Sequence, residues 1–170
     1  MIGYRKELIA RGATLVVTVG LALTTACSKA PPPLDVEKLR EFANDYAISW
    51  AGEDPMKVAS RFAPNGSLAI NAAAPLVGRE AIAARAKQVM TDYPDVAMKM
   101  EELSLFDGNI TFYWTMTGRN TGPGGTGRAI KLSGSDEWTL APDGLIATSK
   151  SSYDEAELQR QLTAPIPRGR

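Results

Sequence analysis

Between Val96 and Tyr153 apolar residues alternate with polar ones in four runs separated by short turn signals, and a chain written this way must fold as a meander of long strands. Val96, Met98 and Met100 alternate, then Leu103 and Leu105 alternate on the other parity; the phase change predicts a bulge at Glu101-Glu102. Asp107-Gly108 is a two-residue hairpin signal. It pairs Leu105 with Ile110 and Leu103 with Phe112, and the following strand carries Ile110, Phe112, Trp114 and Met116 on one face. After a glycine-rich loop, Ile130, Leu132, Gly134, Asp136, Trp138 and Leu140 share one parity. Matching the apolar faces sets Leu132 opposite Met116, Gly134 opposite Trp114 and Asp136 opposite Phe112. Pro142-Asp143-Gly144 turns the chain into a last strand, Leu145 to Tyr153.

The segment before the meander has helical periodicity. Asp35 can cap a first helix whose stripe is Val36, Leu39, Phe42, Ala43, Tyr46, Ala47 and Trp50, ended by Gly52. Asp54-Pro55 starts a second, short helix, which Val58 and Phe62 carry inward. Pro64-Asn65-Gly66 is expected to turn and Ser67 to Ala72 to form a short strand. Gly78 precedes a third helix with Ile82, Ala86, Val89, Met90 and Tyr93 on one face, and Asp154 caps a short terminal helix reaching Leu162. Helices followed by antiparallel strands predict an α+β domain, with the helices covering one face of a curved sheet and a pocket between them.

The N-terminus is built for export. Arg5, Lys6 and Arg11 precede an apolar run of 11 residues, Ala13 to Leu23, too short for the ~20 residues of a spanning helix. The run ends in Leu23-Thr24-Thr25-Ala26-Cys27, which resembles a bacterial lipobox: residues 1–26 form the signal, and Cys27 is lipidated and becomes the new N-terminus. Simple cleavage near Ala26, with Cys27 an incidental thiol, is the other reading. Residues 27–33 contain three consecutive prolines and form a stiff linker. The folded domain is assigned to 34–163 and a frayed tail to 164–170. The expected location is the bacterial cell envelope, facing the periplasm or on the outer membrane.

Composition narrows the chemistry. Removing 26 of 170 residues leaves 144, enough for one core. That mature chain has 16 Lys and Arg against 18 Asp and Glu, a net charge of −2 and no electrostatic footprint for nucleic acid. Cys27 is the only cysteine, so no internal disulfide forms. The chain has no histidine, which excludes Ser-His-Asp or Cys-His centres and His-ligated zinc. No metal or cofactor is expected, and Glu101-Glu102 is read as a solvated bulge.

The order of motifs resembles the NTF2-like superfamily, in its SnoaL-like and ketosteroid-isomerase-like branch. The resemblance rests on Tyr46, Gly52-Glu53-Asp54, Phe62-Ala63-Pro64-Asn65-Gly66, Gly78-Arg79-Glu80-Ala81-Ile82, Asp107-Gly108, Gly134-Ser135-Asp136, Asp143-Gly144-Leu145-Ile146, Tyr153-Asp154 and Gln161-Leu162. It implies a cone-shaped sheet around an apolar cavity and, often, a homodimer through the sheet. It implies no particular activity.

Asp136 is the sharpest candidate for chemistry, because it points where apolar residues point. A carboxyl among Phe112, Trp114 and Trp138 is desolvated and can hold its proton; the resembled enzymes place an acid on this strand. Alternatively it is structural, neutralised by one partner. A three-residue last turn brings Ile146 inward and sets Lys150 opposite Asp136, the favoured register; a two-residue turn sets Ser151 there. Tyr46 is an electrostatic helper or a core aromatic. Asn71 stands where isomerase-like members carry an Asp base, and an amide takes no proton at neutral pH. Trp50, Phe62, Asn71, Phe112, Trp114, Trp138 and Lys150 are the expected pocket residues. Gly122 to Gly127 fits G-x-G-x-x-G but is followed by a strand, so it is read as a mobile hairpin loop able to cover a pocket, with no phosphate role. Two functions follow. The first is an anchored binder of a small apolar ligand or a protein partner, without catalysis. The second is an isomerase, cyclase or hydrolase of a hydrophobic carbonyl compound, with Asp136 as acid/base.

Overall fold

The computed structural model describes residues 35–165. The signal, Cys27, the proline linker and most of the tail lie outside the described residues. Two helices lead, α1 (Val36–Ser49) and α2 (Pro55–Ala59), and a third, α3 (Arg79–Asp92), follows the first two strands. The strands are β1 (Phe62–Ile70), β2 (Leu76–Val77), β3 (Ala97–Phe106), β4 (Asn109–Arg119), β5 (Ala129–Leu140) and β6 (Ile146–Tyr153), and α4 (Glu155–Thr163) closes the chain. They form one curved sheet in the order β2-β1-β6-β5-β4-β3, antiparallel except where β1 runs parallel to β6. This is the expected α+β architecture, with the helices packed on the sheet.

The helix starts follow from their caps. Asp35 accepts from the Lys38 N–H, Asp54 from Met56 and Asp154 from Glu157, each satisfying a backbone donor that the first turn leaves open. The α1 stripe buries Leu39, Ala43, Tyr46 and Ala47, with Trp50 at its end; α3 buries Ile82, Ala83, Ala86 and Met90. Val36, at the start of the stripe, is exposed. α1 packs on β3 and α3 on β1, so the core lies between the helices and the concave sheet face.

Across β3, β4 and β5 the meander has the register expected of it. Leu105 pairs with Ile110 and Leu103 with Phe112, and the ladder shifts between Met100 and Glu102. Asp107 and Gly108 both take positive φ, 50° and 77°, as a type I′ turn requires. Met116 faces Leu132, Trp114 faces Gly134 and Phe112 faces Asp136.

Three details depart from expectation. Residues 64–66 make no turn: they lie inside β1, whose register against β6 slips between Phe62 and Ser67. Pro64 has no N–H to give the ladder, so the strand bulges there and continues. Phe62 accordingly opens β1 and does not extend α2. The glycine loop is tied down. The Asn120 Oδ1 accepts from the Thr126 N–H at 2.7 Å, and the Gly122 N–H donates to the Asp92 carbonyl at 3.2 Å, which fastens the loop to the end of α3.

Candidate functional site

The two central residues of the site come from two elements, α1 and β5. Tyr46 reaches it from the third turn of α1, on the buried side because it sits seven residues after Leu39 and three after Ala43. Asp136 reaches it from the inward parity of β5, two residues from Gly134 and two from Trp138. Asp136 is 2% exposed. The Tyr46 hydroxyl donates to its Oδ2 at 3.2 Å and the Trp114 Nε1–H to its Oδ1 at 2.8 Å.

Burial raises the Asp136 pKa above the usual carboxylate value; hydrogen-bonding influence from Ser151, Trp114, Tyr46 and Trp138 draws it part of the way back. Desolvation wins because every neighbour is a neutral donor and none is a cation. Ser151 and Trp138 act from nearby without a hydrogen bond of normal geometry, and the Nε1 atoms of Trp138 and Trp50 are buried with no partner. Burial, and then the Asp136 charge, push the Tyr46 phenol well above its ordinary value, so it stays a donor.

Behind this pair stands an aromatic cluster. Tyr46 meets Trp50, Phe62, Phe112 and Trp138 edge-on at 5.2–6.2 Å, and Phe112 stacks on Trp138 at 4.8 Å. Such pairs contribute roughly 0.5–1.5 kcal/mol each beyond their burial, so the Tyr46 ring is held rigidly.

In front of the pair lies a cavity of about 250 Å³. Leu68 and Ile70 of β1, Val89 of α3, Met98, Met116 and Leu132 of the meander, and Leu158 and Leu162 of α4 give it apolar walls; Trp50, Trp114 and Ser151 complete the end that holds Tyr46 and Asp136. Arg85, Asp92, Tyr93, Tyr153, Glu155 and Gln159 supply the remaining, polar lining. A wider cleft of about 490 Å³ adjoins it and shares Leu68, Ile70, Arg85, Tyr153 and Glu155. α4 is held to the sheet by Gln161, whose side chain bonds both the N–H and the carbonyl of Lys131. Among the described residues no cluster of carboxylates could hold a metal ion.

The structure brings Tyr46, Trp50, Trp114 and Asp136 together at the cavity and corrects the other expected positions. Phe62, Phe112 and Trp138 are core behind the site and do not line the cavity. Lys150 is exposed and opposite Glu137, whereas Ser151 faces Asp136. Ile146 does point inward, at 0% exposure. Both hold because the ladder shifts between Thr139 and Leu140: Thr139 pairs with Thr148 but Leu140 with Ile146, so Ala147 is an extra residue that resets the parity.

Asn71, an expected pocket residue, lines the adjoining cleft and not the cavity that ends on Asp136. It takes φ 50° just after β1, donates its N–H to the Ser151 carbonyl at 2.8 Å and accepts the Tyr153 N–H on Oδ1 at 3.0 Å. It ties the end of β1 to β6. The residues of β1 that face the cavity are Leu68 and Ile70, so neither residue at the place of a proton acceptor can take a proton. Asn71→Ala is expected to cost about 1–2 kcal/mol, from the lost hydrogen bond and the left-handed backbone, while leaving ligand affinity unchanged; thermal unfolding and a binding titration on one variant check both.

Sequence reasoning missed the polar rim. Arg85 falls on the inward stripe of α3, between Ile82 and Val89, and that periodicity was the available signal. Tyr153 lines both cavities, and burial with nearby Glu155 pushes its phenol up to about 12.

A sequence model of the SnoaL-like polyketide cyclase family matches residues 40–162. The chain belongs to the SnoaL-like family. Solved structures agree on the fold. A ketosteroid-isomerase-like protein of Catenulispora acidiphila DSM 44928, in complex with trimethylamine, superposes with a TM-score of 0.65 at 17% identity, over 74% of this chain and 94% of that one. The epoxide hydrolase/cyclase-like enzyme SalBIII, of pyran ring formation in salinomycin, gives 0.62 at 20% identity over 72% and 95%. TsrD of Streptomyces laurentii gives 0.61 at 24% identity over 78% and 99%. A search of the curated proteins gives no match. At these identities the likeness establishes the fold; the chemistry has to be argued from the site.

Proposed function

We propose that this SnoaL-like protein binds a small, largely apolar molecule in the closed end of its sheet, without completing a reaction on it. One observation carries the reading: the apolar cavity ends on the Tyr46–Asp136 pair, while Leu68 and Ile70 occupy the strand that faces it. The pair offers a ligand oxygen a hydrogen-bonding end, and neither Leu68 nor Ile70 can accept a proton from the β1 side. The Arg5-to-Cys27 segment adds that the protein works as an envelope lipoprotein facing the periplasm or on the outer membrane. The polar-aromatic outer face, with Tyr113 and Thr117 exposed, suits a modest homodimer interface.

The test is native mass spectrometry of the purified protein beside Met116→Trp, whose indole fills the cavity. A non-covalent small-molecule mass on the wild type that is lost from the variant is the expected result. Equal retention by both would place the ligand elsewhere.

The raised pKa of Asp136 favours a second reading, in which a protonated Asp136 acts as acid and Tyr46 stabilises charge on a hydrophobic carbonyl compound. Turnover of an unsaturated cyclic ketone that disappears in Asp136→Asn would establish it. A normal or depressed Asp136 pKa by NMR titration would remove it.

A further inference from the structure

Arg85 is placed where the cavity and the adjoining cleft meet, since it lines both. It is half-buried, and among the described residues its guanidinium makes no hydrogen bond and no ion pair. Arg79 and Arg61 show the usual outcome for half-buried guanidinium groups in this fold: one donates to the Phe62 carbonyl, the other to Asp45. A guanidinium carries five donors and sheds its charge under no ordinary condition, so holding one partly out of water with no acceptor is unfavourable until an acceptor arrives.

Two carboxylates share the rim, Asp92 and Glu155, and each already accepts from a neutral neighbour. The Gln88 Nε2–H donates to Asp92 Oδ1 at 2.9 Å and the Gln159 Nε2–H to Glu155 Oε1 at 3.1 Å. Tyr153, also on both cavities, brings a phenol close to Arg85. The rim therefore holds one unengaged cation beside the Tyr153 phenol, and apolar walls separate it from the Tyr46–Asp136 end of the cavity.

We infer that Arg85, with Tyr153, receives the carboxylate of an amphipathic ligand whose apolar body lies among Met98, Met116 and Leu132. The ligand class is thus a small hydrophobic carboxylic acid. This rests on reading the cavity as a ligand site and adds which end of the ligand is charged and where it sits. A planar carboxylate meets the guanidinium fork with two parallel hydrogen bonds, a geometry that fixes orientation as well as affinity.

Calorimetric titration of the purified protein with three probes of one skeleton tests it: naphthylacetate, its methyl ester and naphthylethylammonium. The acid is expected to bind at least about tenfold more tightly than the ester, the ratio a charge-assisted hydrogen bond supports. Arg85→Gln should abolish that preference, and Arg85→Lys should retain part of it. Equal affinity for acid and ester in the wild type, or tightest binding of the ammonium probe at Asp92 and Glu155, would overturn the inference and leave the cavity as a binding site. Binding of none of the three would overturn the cavity reading as well.

Discussion

Asp136→Leu is expected to lose about 3 kcal/mol of folding stability, while Asp136→Asn folds with nearly the wild-type value. Leucine has a similar outline but leaves the Tyr46 hydroxyl and the Trp114 N–H buried with no acceptor, and each such orphan costs about 1–3 kcal/mol. Relief of the buried charge offsets part of that loss. Asparagine satisfies both neighbours: its carbonyl accepts from Trp114, and its amide donates to Tyr46, whose hydroxyl can turn to accept. The two variants also separate by pH. The folded-state pKa of Asp136 is raised above its unfolded value of 3.8. Its contribution to stability is therefore fully present below that value and is lost as pH rises through the folded pKa. The Asn variant should gain on the wild type across that window and run level with it in acid. Denaturant unfolding at several pH values reads both effects; a Leu variant as stable as the Asn variant would mean that the two donors are not engaged.

Gly134→Ala is the second large effect, expected at about 3 kcal/mol. Gly134 stands opposite Trp114 on β4, and the indole lies across the place where a side chain would project. An added methyl would sit 2.6 Å from Trp114 Cη2 and 2.6 Å from the Ser152 carbonyl, closer still to Trp114 Cζ2. An aromatic ring wedged against backbone on one side has nowhere to go, so the overpacking cost falls at the upper end of its usual range. The same gap lets the Trp114 Nε1 reach Asp136. The variant should therefore shift the Trp114 indole N–H resonance and raise the Asp136 pKa further, since one of the interactions that lower it is lost. A variant with wild-type stability and an unmoved indole signal would show that the close approach has no energetic consequence.

The meander was legible in the sequence because each strand face repeats every two residues and Asp107-Gly108 admits one register. That logic placed Asp136 opposite Phe112 and inside the fold, and the α1 stripe placed Tyr46 on the buried side. It failed where one residue resets parity. The Ala147 bulge in β6 is invisible to pattern matching, because Ile146 points inward whichever residue then follows opposite Asp136; Lys150 was favoured where Ser151 stands. The parallel pairing of β1 with β6 was equally unreadable, since it joins strands at opposite ends of the domain. That pairing, locked by Asn71, decides which β1 residues face the cavity. The polar rim escaped because Arg85, Tyr153 and Glu155 become neighbours only once α3, β6 and α4 close around one opening.

Mapping a neutral aromatic ketone, acetylnaphthalene, onto the protein by amide and indole N–H chemical shifts tests the central claim most directly. The three tryptophans act as built-in reporters at different depths. The account predicts saturable shifts of the Trp50 and Trp114 indole signals and of the Leu132 and Ser151 amides, which surround the cavity, with the Trp138 indole, in the core behind it, moving least. Shifts confined to Thr111, Glu137 and Thr148 on the outer face of the sheet, or none at all at millimolar ketone, would contradict it.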